Sequence, residues 1–413
     1  MGRHPGFMLH VARSASTRLA ASRDGVAIQG ERGVAHQAPQ ARDTQRFHAS
    51  GIDSQADHHP CTEKRMTTTR AYAAFDNTSP LRPFDAPRRE ARASDVTIDV
   101  LYCGICHSDL HQARNDWRNS KYPMVPGHEI VGRVVAVGDK VTKVKLGQLA
   151  GVGCMVDSCR ECAACKRGLE QYCEKGNTQT YNDVDRDGKT PTYGGYSKRI
   201  VVEERFVLTI AEQTKLEAVA PLLCAGITTY SPLRHWKVGK GSRVGVVGLG
   251  GLGHMAVKIA VAMGAEVTLF SSSERKREDA KRLGVHDYVV SSDRAQMRKQ
   301  RSRLDFVIDT VSAEHDIASV LATLRLDGTM VLVGAPKDPL ALPAFSLLMA
   351  RRSIAGSGIG GIPETQEMLD FCVEHQLTAD VEVVPIQQVN EAYERLLKAD
   401  VRYRFVIDNA TLV

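Results

Sequence analysis

Four cysteines within one short polar stretch give the strongest chemical signal in this 413-residue sequence. Two residues separate each of the first three, and seven residues separate the third from the fourth; the set is Cys159, Cys162, Cys165 and Cys173. Four thiolates at this spacing suit a closed tetrahedral Zn²⁺ site. An iron–sulfur cluster is the nearest alternative, but the last spacing and the Glu174 that follows do not fit it. The stretch therefore predicts a structural zinc.

A second group of metal-binding side chains is scattered along the chain, at Cys106, His128 and Cys224. A catalytic zinc needs about three protein ligands and one open position. Taken singly, however, a buried cysteine is more often a packing residue, and a histidine is more often a hydrogen-bonded polar group. Spacing alone leaves both interpretations open.

A glycine-rich loop occupies residues 248–253, after a β-branched run and before an apolar periodic segment. In that context the loop predicts a dinucleotide-binding turn. Gly248 would permit the tight turn, Gly250 would let the backbone approach a pyrophosphate, and Gly253 would let the helix pack on the sheet. The N–H groups at the start of that helix would then face the anion. A plain glycine-rich turn is the alternative.

The next predicted strand runs out into serines and cations at residues 271–276, where an NAD site would carry an acidic residue for the ribose 2′-hydroxyl. Hydroxyls and cations suit a 2′-phosphate, so the sequence favours NADP(H) over NAD(H). A solvent-exposed helix start capped by serine is compatible with the same residues.

The elements that must position these groups fall into two kinds. Residues 95–102, 130–137 and 198–210 are predicted strands of a β-rich region. A helix is expected over 216–230, after which strands (242–247, 266–270, 305–309, 329–333) alternate with helical segments, one of them charged, at 275–283. This alternation indicates a parallel α/β sheet. One more helix (364–374) and a closing strand near 405–407 follow.

Composition narrows the class of protein. The chain is 43% hydrophobic with a net charge of +6, which is typical of a globular protein and does not argue for nucleic acid. No run approaches ~18 apolar residues, so no membrane span is expected. Residues 1–65 hold nine Lys and Arg against six Asp and Glu and show no hydrophobic period. They are a disordered tail, a targeting segment, or translated upstream sequence ahead of a start at Met66.

Five separated motifs occur together and in order. They are Gly104-Ile-Cys-His-Ser-Asp109, Pro126-Gly-His-Glu-Ile-Val-Gly132, the four-cysteine stretch, Cys224-Ala-Gly-Ile-Thr-Thr-Tyr230 and residues 248–254. In these motifs the chain resembles the zinc-dependent medium-chain dehydrogenases, specifically the cinnamyl alcohol dehydrogenase branch and, within it, bacterial NADPH-dependent zinc-type aldehyde reductases. The resemblance runs from about Tyr72 to Val413 and does not cover residues 1–65.

The resemblance implies an α/β fold with a GroES-like β-rich catalytic domain and a Rossmann dinucleotide-binding domain. The expected boundaries are 66–215 for the catalytic domain with its structural-zinc lobe, 216–357 for the NADP-binding domain, and 358–413 for a C-terminal return to the catalytic domain. It also implies reversible hydride transfer between NADP(H) and primary alcohols or aldehydes, over a broad range of aromatic and aliphatic aldehydes.

Carried over by position, the resemblance implies two zinc ions per subunit. Cys106, His128 and Cys224 would bind the catalytic zinc, with Glu129 able to take the fourth position. The four-cysteine stretch would bind the structural zinc. Ser108 and His111 would relay a proton, and Asp109 would orient the ligands. Trp117 would border the substrate pocket, and His107 would contact cofactor phosphate.

The same resemblance implies a set of residues that line the cofactor. They are Ser108, Thr228, Gly248, Leu249, Gly250, Gly251, Leu252, Gly253, Ser271, Ser272, Ser273, Arg275, Lys276, Thr310, Gly334, Ser357 and Ile359.

A small aldehyde or alcohol is the expected partner, without nucleic acid or membrane, in a cytoplasmic homodimer. A zinc-free quinone or enoyl reductase on the same scaffold is disfavoured by the Cys106, His128 and Cys224 trio. A non-catalytic zinc-binding scaffold or a nucleic-acid-binding zinc protein would leave the glycine loop and the trio unexplained, and would hold one zinc per chain rather than two.

Overall fold

The computed structural model describes residues 67–336 and 339–413. The expectations for residues 1–65 lie outside the described residues. In the part that is described, no helix combines the length and the apolar character that crossing a membrane requires.

The strands in chain order are β1 (Thr67–Ala73), β2 (Arg82–Arg88), β3 (Asp95–Ile105), β4 (Ile130–Val137), β5 (Leu149–Val152), β6 (Met155–Asp157), β7 (Thr178–Gln179), β8 (Arg199–Glu203), β9 (Leu208–Thr209), β10 (Arg243–Val247), β11 (Glu266–Ser271), β12 (Asp287–Val290), β13 (Leu304–Asp309), β14 (Leu324–Leu332), β15 (Ser353–Gly356), β16 (Val381–Pro385) and β17 (Arg404–Asp408).

The α-helices are α1 (His107–Ala113), α2 (Ala163–Lys166), α3 (Leu216–Val219), α4 (Ala225–His235), α5 (Gly253–Ala262), α6 (Arg277–Arg282), α7 (Arg294–Lys299), α8 (Ile317–Leu321), α9 (Phe345–Leu348), α10 (Ile362–Glu374) and α11 (Val389–Leu397). Short 3₁₀ turns, including Glu204–Phe206, Ala220–Leu223 and Glu274–Lys276, connect several of them.

A seven-stranded sheet carries the metal-binding residues. Its strand order is β16-β17-β3-β4-β5-β9, and β8 pairs with the first half of β3. The side chains of Val96 and Ile98 on β3 are fully buried, as the alternating sequence of that strand predicts. β17 runs antiparallel to β3 and parallel to β16, so the chain returns to this sheet after it has built the second one.

The second sheet has six parallel strands in the order β12-β11-β10-β13-β14-β15. Its central strand β10 is an apolar run in which Val244 and Val246 are completely buried, because helices cover both faces of a parallel sheet. β10 lies between β11 and β13, so the strand order reverses there. Ligands of such sheets bind at the carboxyl ends of the strands on either side of that point.

The predicted α/β class is confirmed, and several predicted strands match closely: β4 covers 130–137 as expected. Two predicted elements were wrong in their continuity. The segment expected as one strand over 198–210 is broken by the 3₁₀ turn at Glu204–Phe206. The helix expected over 216–230 is interrupted at Cys224, where φ is −128°, after a turn in which Pro221 contributes no N–H donor.

Residues of both sheets share one hydrophobic cluster, which includes Ile98 on β3 and Val244 on β10. The strands of the first sheet come from residues 95–209 and 381–408, and those of the second from 243–356. The domain boundaries expected at 215/216 and 357/358 stay predictions.

Candidate active site

Four buried side chains from three chain segments meet beside the first sheet. Cys106 precedes α1, His128 and Glu129 immediately precede β4, and Cys224 precedes α4; one ligand atom from each lies within 4.8 Å of all the others. The Sγ atoms of Cys106 and Cys224 are 3.9 Å apart. A tetrahedral zinc with Zn–S bonds of about 2.3 Å places two sulfurs about 3.8 Å apart, so this donor set fits zinc in chemistry and in spacing.

Asp109 organises this cluster from behind. Its fully buried carboxylate accepts hydrogen bonds from the N–H groups of Cys106, at 2.8 Å, and Gly127, at 3.1 Å. It also lies 3.1 Å from Nδ1 of His128. That contact fixes Nδ1 of the imidazole as the donor, so Nε2 is free to bind a metal. The Tyr196 hydroxyl adds a weaker contact to Asp109 at 3.4 Å.

The two cysteines of the cluster are not equivalent electrostatically. The hydrogen bond from Cys224 lowers the pKa of Cys106 well below that of an ordinary thiol, although burial opposes the shift. The thiolate is the form that binds zinc. Cys106 is therefore already biased towards its ligand form.

Glu129 pairs with Arg404, and both side chains are buried. The guanidinium donates to Oε1 of Glu129, whereas Oε2 is buried and makes no hydrogen bond with the described residues. Burial raises the pKa of Glu129 to about 8, and the positive charge of Arg404 opposes that shift. An unpartnered carboxylate oxygen among thiols and an imidazole is suited to bind a cation.

The predicted structural site also comes together. The thiol sulfurs of Cys159, Cys162, Cys165 and Cys173 lie within 4.8 Å of one another, and Cys159 and Cys165 are 3.9 Å apart. Backbone N–H groups donate to three of these sulfurs at 3.3–3.5 Å. The hydrogen bond from the N–H of Cys165 is the main reason that the pKa of Cys162 falls to about 6. The loop therefore favours the thiolate of Cys162 before any metal binds, whereas burial raises the pKa of Cys165 to about 12.

An open cleft of about 940 Å³ joins the metal-binding cluster to the carboxyl ends of β10, β11 and β13. Cys106, Ser108 and His111 line it on the metal side. On the other side it is lined by predicted cofactor residues, namely Gly248, Leu249, Gly250, Gly251, Leu252, Ser271, Ser272, Ser273, Lys276 and Thr310.

The three motif glycines meet different steric demands. Gly248 has φ +89°, a conformation that favours glycine. A Cβ on Gly253 would lie 2.0 Å from the carbonyl oxygen of Gly248, so α5 could not begin at that point with a larger residue. A Cβ on Gly250 would meet no atom within 4 Å, so that residue leaves space beside the loop. The positive φ of Gly248 fits the tight turn predicted for it, whereas the approach of a pyrophosphate at Gly250 and the packing of the helix on the sheet at Gly253 stay predictions.

The serine-rich end of the cleft lies at the end of β11. The N–H of Ser291, which follows β12, donates to the carbonyl of Ser271 at 2.8 Å, so the two serine turns adjoin. The nearby carboxylate of Glu274 is paired with Arg277 at 2.6 Å. Lys276 donates to the carbonyl of Leu249 at 2.6 Å, and burial lowers its pKa. This end offers hydroxyls and a cation to a phosphate.

The predicted proton-relay residues lie on α1 and the turn after it. Oγ of Ser108 is 3.6 Å from Sγ of Cys106, and Nδ1 of His111 is 2.7 Å from the carboxylate of Asp116. The His111 ring is 5.4 Å from that of Trp117, which is 40% exposed at the cleft wall. Sequence reasoning missed Asp116, although its position five residues after His111 could have indicated the contact.

Arg404 was also missed as a site residue. It lines the cleft, pairs with Glu129, and would touch a Cβ on Gly251 at 2.9 Å. It therefore joins the metal-binding cluster to the glycine loop. Glu129 and Arg404 are 275 residues apart in the sequence, so no local sequence pattern could have revealed the pair.

Six of the predicted cofactor residues do not line the described cleft: Thr228, Gly253, Arg275, Gly334, Ser357 and Ile359. Val333 and Ala335 line it on either side of Gly334. Ile359 lies in a separate small pocket with Cys154 and Leu223. His107 is exposed and does line the cleft. The cofactor assignments of these residues stay predictions.

Comparison with known proteins gives a consistent result. Residues 92–212 match the alcohol dehydrogenase GroES-like domain, and residues 251–374 match the zinc-binding dehydrogenase domain. The chain is 57% identical over 345 residues to the aldehyde reductase YahK of Escherichia coli, covering 83% of this chain and 99% of that protein. It is 55% identical over 348 residues to the NADP-dependent alcohol dehydrogenase C 1 of Mycolicibacterium smegmatis, covering 84% and 99%.

Solved structures agree. The cinnamyl alcohol dehydrogenase SbCAD4 of Sorghum bicolor is 50% identical, with a TM-score of 0.81 over 83% of this chain and 98% of that one. A cinnamyl alcohol dehydrogenase of Helicobacter pylori, solved as a complex with NADP(H), is 42% identical, with a TM-score of 0.80 over 84% and 100%.

Proposed function

This chain belongs to the zinc-dependent medium-chain alcohol dehydrogenase family, and from that premise we propose that its cleft catalyses RCH₂OH + NADP⁺ ⇌ RCHO + NADPH + H⁺ for both aromatic and aliphatic aldehydes. The protein is an oxidoreductase of alcohols and aldehydes, and its cofactors are zinc and NADP(H). The non-catalytic zinc scaffold is not supported.

One observation carries the proposal: the metal-binding cluster and the glycine loop open into the same cleft of about 940 Å³. A substrate held at the cluster would therefore lie within reach of a cofactor held by the loop. A scaffold that used zinc only for stability would need no such convergence.

Two sets of residues would hold the two zinc ions. Cys106, His128 and Cys224 would hold the catalytic zinc, with Oε2 of Glu129 as a fourth donor when substrate is absent. The four-cysteine loop would hold the structural zinc. When bound, zinc supplies Lewis acidity to the substrate oxygen, and the nicotinamide supplies or accepts the hydride.

The protein's own groups handle the proton. We propose that the Ser108 hydroxyl, close to Cys106, exchanges a proton with the substrate oxygen. His111 would pass that proton to solvent, with Asp116 holding its ring by the 2.7 Å contact. Trp117 would border the substrate at the cleft wall.

The proposed activity is tested with the full chain and a panel of aromatic and aliphatic aldehydes. We expect oxidation of NADPH with members of both classes, kcat/KM for NADPH roughly 10²-fold above that for NADH, and two zinc ions per chain. Absence of turnover with every aldehyde and every corresponding alcohol, in a protein that holds two zinc ions, would overturn it.

We also propose a homodimer formed through α9 and the edge strand β15. The side chains of Phe345, Leu348 and Met349 are 72%, 69% and 76% exposed. β15 pairs only with β14 among the described strands, so its other edge is open. A second copy would cover this apolar patch and pair with the strand edge.

We propose a cytoplasmic location on separate grounds. The nine described cysteines are free thiols, which supports a reducing compartment.

A further inference from the structure

The short 3₁₀ turn Glu170–Tyr172 lies between the third and fourth cysteines of the four-cysteine loop and contacts a distant part of the chain. Oε2 of Glu170 accepts a hydrogen bond from the N–H of Ile362, the first residue of α10, at 3.0 Å. The hydroxyl of Tyr172 accepts one from the N–H of Gly358 at 3.1 Å. The turn therefore holds the return segment, residues 357–361, which runs from β15 to α10, near both of its ends.

The four-cysteine loop and the start of α10 pack against each other without a gap. A Cβ on Gly361 would lie 1.7 Å from the carbonyl oxygen of Gly168, and a Cβ on Gly168 would lie 3.0 Å from the ring of Pro363. Gly361 offers α10 no side-chain cap, so the carboxylate of Glu170 satisfies an N–H that the helix leaves open. The loop is thus a support for the return segment as well as a metal site.

The return segment contains a strained residue. Ile359 has φ +38°, in the left-handed region that a β-branched side chain rarely adopts. Such a conformation persists only where surrounding contacts enforce it, and it occurs most often at functional sites. The two hydrogen bonds from the turn, at Gly358 and Ile362, lie on either side of Ile359. The strain therefore falls within the part of the chain that the turn holds.

The return segment adjoins both the cleft and the metal-binding cluster. It leaves the parallel sheet at the carboxyl end of β15, where the N–H of Ser357 donates to the carbonyl of Leu332 at 3.2 Å. Val333, the residue after Leu332, lines the cleft. On the other side, Ile359 shares a small pocket with Leu223, the residue before a metal-binding cysteine. A nicotinamide that exchanges a hydride with a substrate at the cluster has to lie along this path.

We propose that Glu170 and Tyr172 are positioning residues, which hold the return segment in its strained form and thereby align the nicotinamide half of NADP(H) with the substrate. The inference rests on the proposed function and on the predicted cofactor contacts of Ser357 and Ile359. No residue of the four-cysteine loop lines the described cleft, so the two side chains act through the return segment. The adenosine half, expected at the serine-rich end of the cleft, should bind independently of them.

The test separates the two halves of the cofactor in the full chain. Calorimetry measures the binding of NADPH and of adenosine 2′,5′-bisphosphate, which has the 2′-phosphate but no nicotinamide, to wild type and to Glu170→Ala with Tyr172→Phe. Zinc content is measured in parallel, as is kcat with NADPH and with NADPH that carries deuterium at the transferred position. Glu161→Ala is the control, because it removes from the same loop a carboxylate that pairs with Lys175 and makes no hydrogen bond with the return segment.

In the double variant we expect the Kd for NADPH to rise about five- to tenfold and kcat to fall about tenfold, with a larger deuterium isotope effect, because the ring is no longer aligned. The Kd for adenosine 2′,5′-bisphosphate should change less than about twofold, with two zinc ions retained. Tyr172→Phe alone should show the same selective change at about two- to threefold. Glu170→Gln alone should behave like wild type, because its amide oxygen still accepts from Ile362.

Equal weakening of both ligands, loss of a zinc ion from the double variant, or the same change in Glu161→Ala would overturn the proposal, since each indicates a general loss of structure. NADPH binding and kcat like those of wild type in both the double variant and Tyr172→Phe would also overturn it. Wild type that binds no NADPH and reduces no aldehyde would instead contradict the proposed function. Active wild type with variants that lose no selective affinity contradicts only the positioning role.

Discussion

The buried pair of Arg404 and Glu129 joins the metal-binding side of the cleft to the side formed by the glycine loop. Glu129 has one oxygen on the guanidinium and one left without a hydrogen bond beside the metal-binding cysteines. Arg404 also packs against the glycine loop at Gly251. Removing Glu129 would leave the buried charge of Arg404 uncompensated.

Replacing Cys224 should separate the two zinc sites. In Cys224→Ala we expect one zinc per chain rather than two, because the four-cysteine loop is untouched, and a fall in turnover of roughly 10³-fold or more. Metal analysis by mass spectrometry checks the stoichiometry. Cys372→Ala is the control, since Cys372 is buried against Met368 and belongs to neither cluster. Two retained zinc ions in Cys224→Ala would contradict the ligand assignment.

Replacing Ser108 should leave both metals in place and slow proton transfer. In Ser108→Ala we expect kcat to fall about 10²–10⁴-fold with two zinc ions retained, and Ser108→Thr should restore much of the loss because it keeps the hydroxyl. Steady-state kinetics with zinc analysis provides the measurement. Normal turnover in the alanine variant would remove Ser108 from the relay.

Two hydrogen bonds of His315 at the cleft contribute to the stability of the fold in a pH-dependent way. Its Nε2 lies 2.9 Å from the carboxylate of Asp309, and its Nδ1 lies 2.9 Å from the carbonyl of Ala313, so both contacts are hydrogen bonds only when the ring is protonated. The hydrogen bond with Asp309 raises the pKa of His315 above its usual value. Because the folded-state pKa is raised, this stabilisation is complete below the unfolded-state pKa and is lost as pH rises through the folded-state pKa.

We therefore expect His315→Gln to lower Tm by a few degrees at about pH 6 and by less as pH increases towards about 9. The quantity to compare is the difference in Tm between the two proteins, since both share any effect of pH on their zinc ligands. A difference that stays constant or grows with pH would show that His315 is not stabilising as a cation.

At the scale of elements, the conformation of the glycine loop depends on the lack of side chains at its glycines. Two single substitutions distinguish a glycine that the fold requires from one that cofactor binding requires. Gly253→Ala places a Cβ against the Gly248 carbonyl and should cost about 1–3 kcal/mol of stability, whereas Gly250→Ala meets no atom within 4 Å and should keep the wild-type Tm. Gly250→Ala should nevertheless raise the KM for NADPH, because the methyl group occupies space that the cofactor needs. Calorimetry and kinetics on both variants check this pair; an unchanged KM in Gly250→Ala would contradict the placement of the pyrophosphate.

The sequence predicted the metal and cofactor elements because their signals are local. Thiols at fixed spacing, and glycines between a strand and a helix, encode their chemistry within about fifteen residues. The break at Cys224 was missed because the apolar run around it has no helix-stopping pattern apart from Pro221. The contact of Asp309 with His315 was missed because a single polar residue at the end of a strand carries no periodicity. The contact of Asp116 with His111 left only a five-residue spacing as its signal.

At the scale of the whole molecule, the proposed dimer predicts a defined loss of association. We expect Leu348→Asp with Phe345→Asp to convert the protein to a monomer, because two charges would be buried in an apolar interface. Light scattering coupled to size-exclusion chromatography measures the mass. Leu146→Asp is the control, since Leu146 is 67% exposed in the loop between β4 and β5. A double variant that keeps the mass of wild type would move the interface elsewhere.

The sequence predicted the α/β class of the fold, but it did not predict how the last strand joins the first sheet. Alternating strands and helices indicated the parallel sheet, and the closing strand near 405–407 was expected. Its insertion between β16 and β3, which brings Arg404 to Glu129, depends on tertiary pairing over hundreds of residues. No residue type or spacing near Arg404 specifies that partner.

The late arrival of β17 has a consequence during biosynthesis. Ile105 at the end of β3 pairs with Phe405, so the ribosome must make the entire nucleotide-binding part between the two strands. At ordinary elongation rates of 5–20 residues per second, the part of β3 that pairs with β17, Tyr102–Ile105, keeps one edge uncovered for roughly 15–60 s. All the metal-binding residues have left the ribosome before then, so the nascent chain can acquire zinc while its strand edge is still open to chaperones or to aggregation.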